Sequence, residues 1–234
     1  MEFAESDLSA IWLTIQLAGT VTALLLLIGT PLAWWLARTS SILRAPIGAL
    51  TTLPLVLPPT VLGFYLLIAL GPQSPINEML DSLGISPLPF SFSGLVIASM
   101  IYSLPFVVQP IQNAFSNLDE QSLEAASTLG AGPLDRFIHV VLPLSKSGFL
   151  AAIILGFAHT VGEFGIVLMI GGNIPGETQV VSTQIYTYVE SLNYESANKL
   201  SAIMLLFSLL ILIPLYLTQK KNEGNLLKTS PNLP

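Results

Sequence analysis

Cysteine is absent from the 234 residues, and charge is scarce: Asp, Glu, Lys and Arg make up 9% of the chain, against 52% hydrophobic residues. The first absence excludes a disulfide framework and a thiolate metal site. The second excludes an ordinary soluble domain, in which about 25% of residues are charged. With a mean hydropathy of +0.73, a water-soluble core of this size has nowhere to put the apolar surface, so the bilayer is the expected solvent. Only His139 and His159 represent histidine. Neither sits in a metal-ligand spacing, and no Ser/His/Asp set suggests a nucleophilic enzyme; no metal site and no catalytic residue is expected.

Nucleotide chemistry is missing too. Gly171 and Gly176-Glu177-Thr178 have the outline of a phosphate-binding loop. However, Glu177 stands where the phosphate-binding lysine belongs, and no buried strand precedes the segment. No cofactor is expected in this chain, and any energy source must lie in another one. The formal net charge of -6 says little about partners; nucleic acid is not an expected one.

What is present is a set of long uncharged runs. Residues 8–37, 45–77, 82–118 and 200–219 carry no Asp, Glu, Lys or Arg, and 147–176 is interrupted only by Glu163. A membrane helix needs roughly 20 apolar residues, which predicts an all-α polytopic membrane protein with five spans near 10–36, 46–70, 94–115, 147–170 and 199–218. Arg38, Arg44, Arg136, Lys146, Lys220, Lys221 and Lys228 fall in alternate connections, leaving only Lys199 of the eight basic residues on the other side. The positive-inside rule then puts the N-terminus outside and the C-terminus in the cytoplasm. Glu2, Glu5 and Asp7 before the first span argue against a cleaved signal peptide, which would be basic there. A single membrane domain, 1–220, followed by a short frayed tail, 221–234, is expected. The external loop 71–93, with Pro87-Leu88-Pro89, reads as an ordered surface loop; the structure of 179–190 stays open.

The second span contains Pro54, Pro58 and Pro59, with Thr60 and Gly63 behind them. Each proline removes a backbone donor. Such a helix either kinks or lines an interior where protein or water covers the freed groups.

The connection 116–146 is too long and too patterned for a linker. Asn117 followed by Glu120 predicts a helix start, with Asn117 as the cap. Ala125, Ala126 and Leu129 supply an apolar side, and Gly130 the left-handed residue that ends the helix. Pro133 opens a second helix, in which Leu134, Phe137, Ile138 and Val141 form one stripe. Pro143 precedes the fourth span. An amphipathic helix lying on the membrane surface would favour Lys and Arg, whereas this segment carries Asp119, Glu120 and Glu124.

Glu124-Ala125-Ala126, three residues, Gly130, nine residues and Val140-Val141-Leu142-Pro143 resembles the EAA loop of ABC importer permeases, departing only at Val140, where that family has isoleucine. In that family the helix-turn-helix docks in a cleft of the ATPase subunit and transmits its motion, so Glu124, Ala125, Ala126, Gly130, Leu142 and Pro143 are the expected coupling residues. The run Leu53 to Pro59 with Val61 and Gly63 resembles span two of molybdate permeases. Gly162-Glu163-Phe164-Gly165 resembles a motif shared by molybdate and sulfate permeases. Asn173 to Thr178, with Ile185-Tyr186, resembles the molybdate branch, from which tungstate permeases are not separable. The resemblance implies the type I importer fold, an inner-membrane or plastid-type location, an ATP-binding subunit dimer carrying ATP and Mg²⁺, and an external oxyanion-binding protein. Five helices are few to enclose a hydrated oxyanion, which predicts a second copy of the chain around a shared pathway in the lipid bilayer.

Pro58, Pro59, Thr60, Thr160, Gly162, Glu163 and Gly165 are the candidates for gate or pathway. Glu163 is the only acid inside a span, and intramembrane ionisable groups are functional candidates. His159, four residues earlier, would share its helical face, so Glu163 is expected to pair with His159 or with backbone donors near the glycines. No Lys or Arg lies inside a span, so hydroxyls of Thr52, Thr60, Ser99, Ser103 and Thr160 would offer only weak solvation, as suits a conduit; they equally read as bonding back to their own helices. A sulfate or thiosulfate importer remains the alternative substrate reading. An intramembrane enzyme using Glu163 and His159, or a channel or sensor, leaves the 116–146 pattern without a task.

Overall fold

The structure, a computed structural model, describes residues 4–84 and 87–229. Glu2 of the acidic leader, residues 85–86 of the 71–93 connection and residues 230–234 of the tail lie outside the described residues. Helices follow in the order α1 (Glu5–Arg38), α2 (Arg44–Thr52), α3 (Pro59–Leu70), α4 (Pro75–Ser82), α5 (Phe92–Ser116), α6 (Glu120–Thr128), α7 (Pro133–Arg136), α8 (Leu142–Leu144), α9 (Lys146–Val161), α10 (Gly165–Gly171), α11 (Val181–Glu190) and α12 (Tyr194–Thr229). No strand occurs among the described residues.

Three helices, α1, α5 and the stretch Tyr194–Ile213 of α12, are long and apolar enough to cross a membrane; each of the other two expected spans is broken. The second divides into Arg44–Leu55 and Pro59–Leu70, bent by 112°. The reason lies in the prolines. Pro54 sits in a single 3₁₀ turn, Leu53–Leu55. A residue before proline is pushed out of the helical region, and Pro58, before Pro59, is extended at φ -56° and ψ 137°. Pro59 then starts α3 in its first turn, where its missing N–H costs nothing. The break is far larger than a simple kink. The expected fourth span, 147–170, is split by Gly162–Phe164 into α9 and α10, and the segment Pro133–Leu144 meets α9 at 72°. At the C-terminus α12 continues through Thr229, past the boundary expected at 218.

The core is built by α1, α5 and α9, through Leu17, Val21, Leu25, Val107, Val108, Ile111, Phe115 and Ala152. In a bilayer such packing rests on dispersion and polar ties rather than on expulsion of water. Trp34 meets Phe115 edge-on with ring centroids 5.1 Å apart, and Phe115 meets Phe149 at 5.8 Å. Such aromatic pairs contribute about 0.5–1.5 kcal/mol each beyond their burial.

Polar ties fix the two ends of α1. Near its start, Thr14 Oγ1 donates to the Ala10 carbonyl at 2.7 Å and accepts the Val181 amide of α11 at 2.9 Å. Tyr188 donates to Asp7 at 2.6 Å. At its other end Arg38 pairs with Glu120 at 3.5 Å. Asp7 and Arg38 are 31 residues apart along α1, about 46 Å at the helical rise, so α11 and the 116–146 connection sit at opposite ends of the molecule. Of segment 179–190, open at the sequence level, Val181–Glu190 is helical and packs on the N-terminal half of α1. The 71–93 connection is ordered as expected where it is described: it carries α4, and Leu88 is buried.

Candidate functional site

The 116–146 connection folds as a helix, a tight turn and a second helical arm. Asp119, not the expected Asn117, is the cap of α6: its carboxylate accepts the Gln121 amide at 3.2 Å. Asn117 instead closes α5, its amide reaching the Asn113 carbonyl. Both residue types cap well, and α5 runs on to Ser116, which uses up the earlier one. Gly130 follows the helix at φ +85°. Its amide donates to Ser127 at 3.0 Å and the Ala131 amide to Ala126 at 3.1 Å, the paired 5→2 and 6→1 bonds of a Schellman turn. Pro133 occupies the first turn of α7.

The second arm departs from the expected stripe. Phe137–Val141 forms a π-helical turn, so positions three and four apart no longer share one face. Val141 is buried and Phe137 half-buried, packed beside Trp34 at 6.3 Å, while Leu134 and Ile138 are exposed. On α6, Leu123 packs on the core, whereas Leu129, expected on the apolar side, is 88% exposed. Glu124 and Ala125 are exposed and Ala126 is half-buried. Arg136 donates to the Ser127 hydroxyl and ties the two arms together. Leu142 and Pro143 are exposed at the end of the second arm. The result is a projection with small side chains and uncovered leucines at its tip. It rests on an aromatic base of Trp34, Phe115, Phe137 and Phe149 that belongs to α1, α5, the second arm and α9. The projection is thus in contact with three core helices.

The second site lies deeper, where the two broken spans meet. Pro59, Thr60, Gly162, Glu163 and Gly165 line one cavity of about 520 Å³ together with Tyr102 and His159. Close approach of α3 and α10 builds it. A Cβ on Gly165 would stand 2.8 Å from Pro59 Cβ, and one on Gly63 2.9 Å from Met169 Cβ, so only glycine fits at these crossings. Pro58 is exposed, not in the lining, and serves as the N-cap of α3. Thr160 is turned away, bonded to Ser103 at 3.0 Å and to the Gly156 carbonyl at 2.9 Å.

Glu163 is 4% exposed, and neither carboxylate oxygen closes a hydrogen bond. The Ile166 amide, on the first turn of α10, faces it without good geometry. The expected pair with His159 does not form. That expectation assumes a continuous helix from 159 to 163, but α9 ends at Val161 with Gly162 as its cap, and Glu163 leaves the helical path. His159 binds the Ser103 hydroxyl through Nδ1 at 2.9 Å and stacks on Phe106 with centroids 3.8 Å apart. Ser182 of α11 donates to the Glu163 carbonyl. Of the other candidate hydroxyls, Thr52 bonds back to Gly48 at 3.1 Å, and Ser99 is buried without a partner. Tyr102, Phe106 and Trp34 escape the sequence-level reading, because an aromatic in an apolar run gives no local sign of what it faces.

The family profile described as "Binding-protein-dependent transport system inner membrane component" matches residues 29–223. The "Molybdenum transport system permease protein ModB" of Azotobacter vinelandii is 58% identical over 224 residues, covering 96% of this chain and 99% of that one. A "Probable sulfate transport system permease protein cysT" of Zygnema circumcarinatum is 35% identical over 212 residues, covering 89% and 72%. Among solved structures, a bacterial ABC transporter involved in the import of the acidic polysaccharide alginate superposes with a TM-score of 0.76 at 17% identity, covering 94% of this chain and 80% of that one, which shows a shared fold. The break of the second span, the projecting loop and a profile match over most of the chain agree: this protein belongs to the family of binding-protein-dependent transport system inner membrane components.

Proposed function

We propose that the chain is the permease subunit of an ATP-driven importer for molybdate, with tungstate as an accepted analogue. The observation that carries this reading is 58% identity to a molybdenum permease along nearly the full length of both chains. A sulfate permease stands at 35%, and that gap favours molybdate over sulfate. The absence of Lys or Arg inside the spans suits a conduit whose selectivity comes from an external binding protein.

In this reading the five spans run with the N-terminus outside, and Arg38, Arg44, Arg136 and Lys146 face the cytoplasm. Two copies enclose the pathway on a two-fold axis. The Glu120–Leu144 projection docks on an ATPase subunit that holds ATP and Mg²⁺. Glu124, Ala125 and Ala126 permit close approach, Gly130 keeps the turn tight, and Leu142 with Pro143 joins the projection to α9. Closure of the ATPase dimer moves the projection, and the aromatic base carries that motion into α1, α5 and α9. The cavity at Pro59, Thr60, Gly162, Glu163 and Gly165 then changes its opening, because it lies where the two broken spans meet. An intramembrane enzyme or a passive channel gives the projection no task.

The test is uptake into proteoliposomes holding the permease, its ATPase and its binding protein. Labelled molybdate should enter only with ATP inside, and excess tungstate should compete while sulfate does not. Uptake of sulfate in preference to molybdate overturns the substrate, and uptake without ATP overturns the importer.

A further inference from the structure

A chain of three hydrogen bonds between α5 and α9 fixes where one proton sits beside the cavity of the broken spans. Thr160 Oγ1 lies 2.9 Å from the Gly156 carbonyl, Ser103 Oγ lies 3.0 Å from Thr160 Oγ1, and His159 Nδ1 lies 2.9 Å from Ser103 Oγ. A carbonyl only accepts, and each hydroxyl has one hydrogen to give. Thr160 therefore spends its hydrogen on Gly156. Ser103 donates to Thr160, and the ring fills the Ser103 oxygen from Nδ1–H. Only this order puts a hydrogen in all three contacts. The reverse order, Thr160 to Ser103 and Ser103 to Nδ1, leaves two oxygens facing each other at Gly156 with no hydrogen between them. Ser103 and Thr160 are buried, where an unmade bond carries its full desolvation cost.

The consequence appears on the other edge of the ring. His159 is in no ion pair among the described residues, and an unpaired imidazolium at membrane depth is costly. The neutral ring holds one hydrogen. With Nδ1 protonated, Nε2 is a bare acceptor. His159 lines the cavity, and its Nε2 is neither bonded nor sealed by protein. Phe106 stacks on the ring with centroids 3.8 Å apart, and the Tyr102 ring lies 5.0 Å away, which holds the plane of the imidazole. Of the other polar side chains in the lining, the hydroxyls of Thr60 and Tyr102 can turn to give or to accept, and the Glu163 oxygens are sealed. An oxyanion needs donors aimed at its oxygens; at His159 it meets a lone pair.

We infer that Thr160 and Ser103 lock His159 as the Nδ1–H tautomer, so that its Nε2 lone pair turns a free oxyanion away from the cavity in this conformation. The inference rests on the reading of that cavity as part of an oxyanion pathway. Thr160 and Ser103 are positioning residues, and His159 is the group the anion meets. The arrangement resists passive leak with no fixed charge in the lining, which suits a pathway that opens only on ATP.

The test labels the permease with 15N-histidine and combines it with unlabelled ATPase in lipid. The chain has two histidines, so His139→Asn identifies the His159 signals in the nitrogen spectrum. Wild type should show a protonated Nδ1 and a bare Nε2. Thr160→Val, close to threonine in volume, takes away the acceptor of the Ser103 hydrogen. That hydrogen then turns to Nδ1, and the ring hydrogen moves to Nε2. Thr160→Ser keeps the hydroxyl and should keep the wild-type tautomer. Ser103→Ala is a second route, since it removes the partner of Nδ1 and should release the tautomer as well. Leak of labelled molybdate from the same proteoliposomes without ATP should be low in wild type and Thr160→Ser. It should rise about tenfold in Thr160→Val, the effect of one added hydrogen bond to a charged group. A protonated Nε2 in wild type, or a tautomer unchanged by both Thr160→Val and Ser103→Ala, overturns the lock. A reversed tautomer with no rise in leak overturns the barrier. Absence of ATP-driven uptake by wild type speaks against the importer reading instead, and the tautomer is read regardless.

Discussion

Gly130 offers the sharpest perturbation, because its backbone and its surroundings separate cleanly. At φ +85° an L-residue other than glycine pays about 1–2 kcal/mol. A Cβ added there meets nothing within 4 Å, so alanine introduces backbone strain and no clash. The variant loop relieves that strain by loosening the turn between α6 and α7, and docking must restore it. Gly130→Ala should therefore weaken binding of the ATPase subunit about five- to thirtyfold. The melting temperature of the permease should barely move, since the turn lies at an exposed tip. Asparagine tolerates the left-handed region better, so Gly130→Asn should recover part of the loss. Gly130→Arg adds bulk to the docking face and should abolish binding. Affinity measured on detergent-purified permease, with all three variants in parallel, decides the matter. Wild-type affinity in Gly130→Ala, or no difference between alanine and asparagine, refutes the claim that the partner reads this turn.

Other substitutions probe the interior. Glu163→Met replaces a buried carboxyl group whose oxygens have no hydrogen-bond partner with an apolar side chain of similar length; an unsatisfied buried polar group is costly, so thermal stability should rise while ATP-driven uptake falls, and a lower melting temperature contradicts the geometry. Gly165→Leu forces a side chain into Pro59, 2.8 Å from its Cβ position, and should cost about 1–3 kcal/mol by overpacking; uptake should be lost with the ATPase still bound. Ser103→Ala leaves the Nδ1 of His159 without its 2.9 Å partner and should destabilise the protein by about 1–3 kcal/mol, read as a fall in melting temperature. Thr14→Val orphans the buried Val181 amide, with a similar cost that loosens α11 from α1.

The features legible in the sequence are those set by local chemistry. Gly130 and Pro133 have roles that follow from backbone freedom alone, and both stand where the pattern put them. The prolines of the second span announced non-helical backbone, although not a turn as large as 112°. Expectations that needed helical continuity fared worse. His159 and Glu163 were matched on a helix that stops at Val161. The stripe Leu134–Val141 was drawn for an α-helix where a π-helical turn occurs. Choosing Asn117 over Asp119 required knowing where α5 ends. The base formed by Trp34, Phe115, Phe137 and Phe149, and the tie between Arg38 and Glu120, join residues up to 103 positions apart, and no spacing rule reaches that far.

The chain has no cysteine of its own, so single introduced cysteines report position without background. The measurement that bears most directly on the central claim places one at Leu129, 88% exposed at the tip of the projection, and a control at Leu83, 68% exposed after α4 at the other end. In intact cells Leu129→Cys should resist a membrane-impermeant maleimide and cross-link to the ATPase subunit, while Leu83→Cys is labelled from outside. Labelling of Leu129→Cys from outside, or its failure to cross-link in a complex that still imports molybdate, would contradict the docking of this loop on a cytoplasmic ATPase.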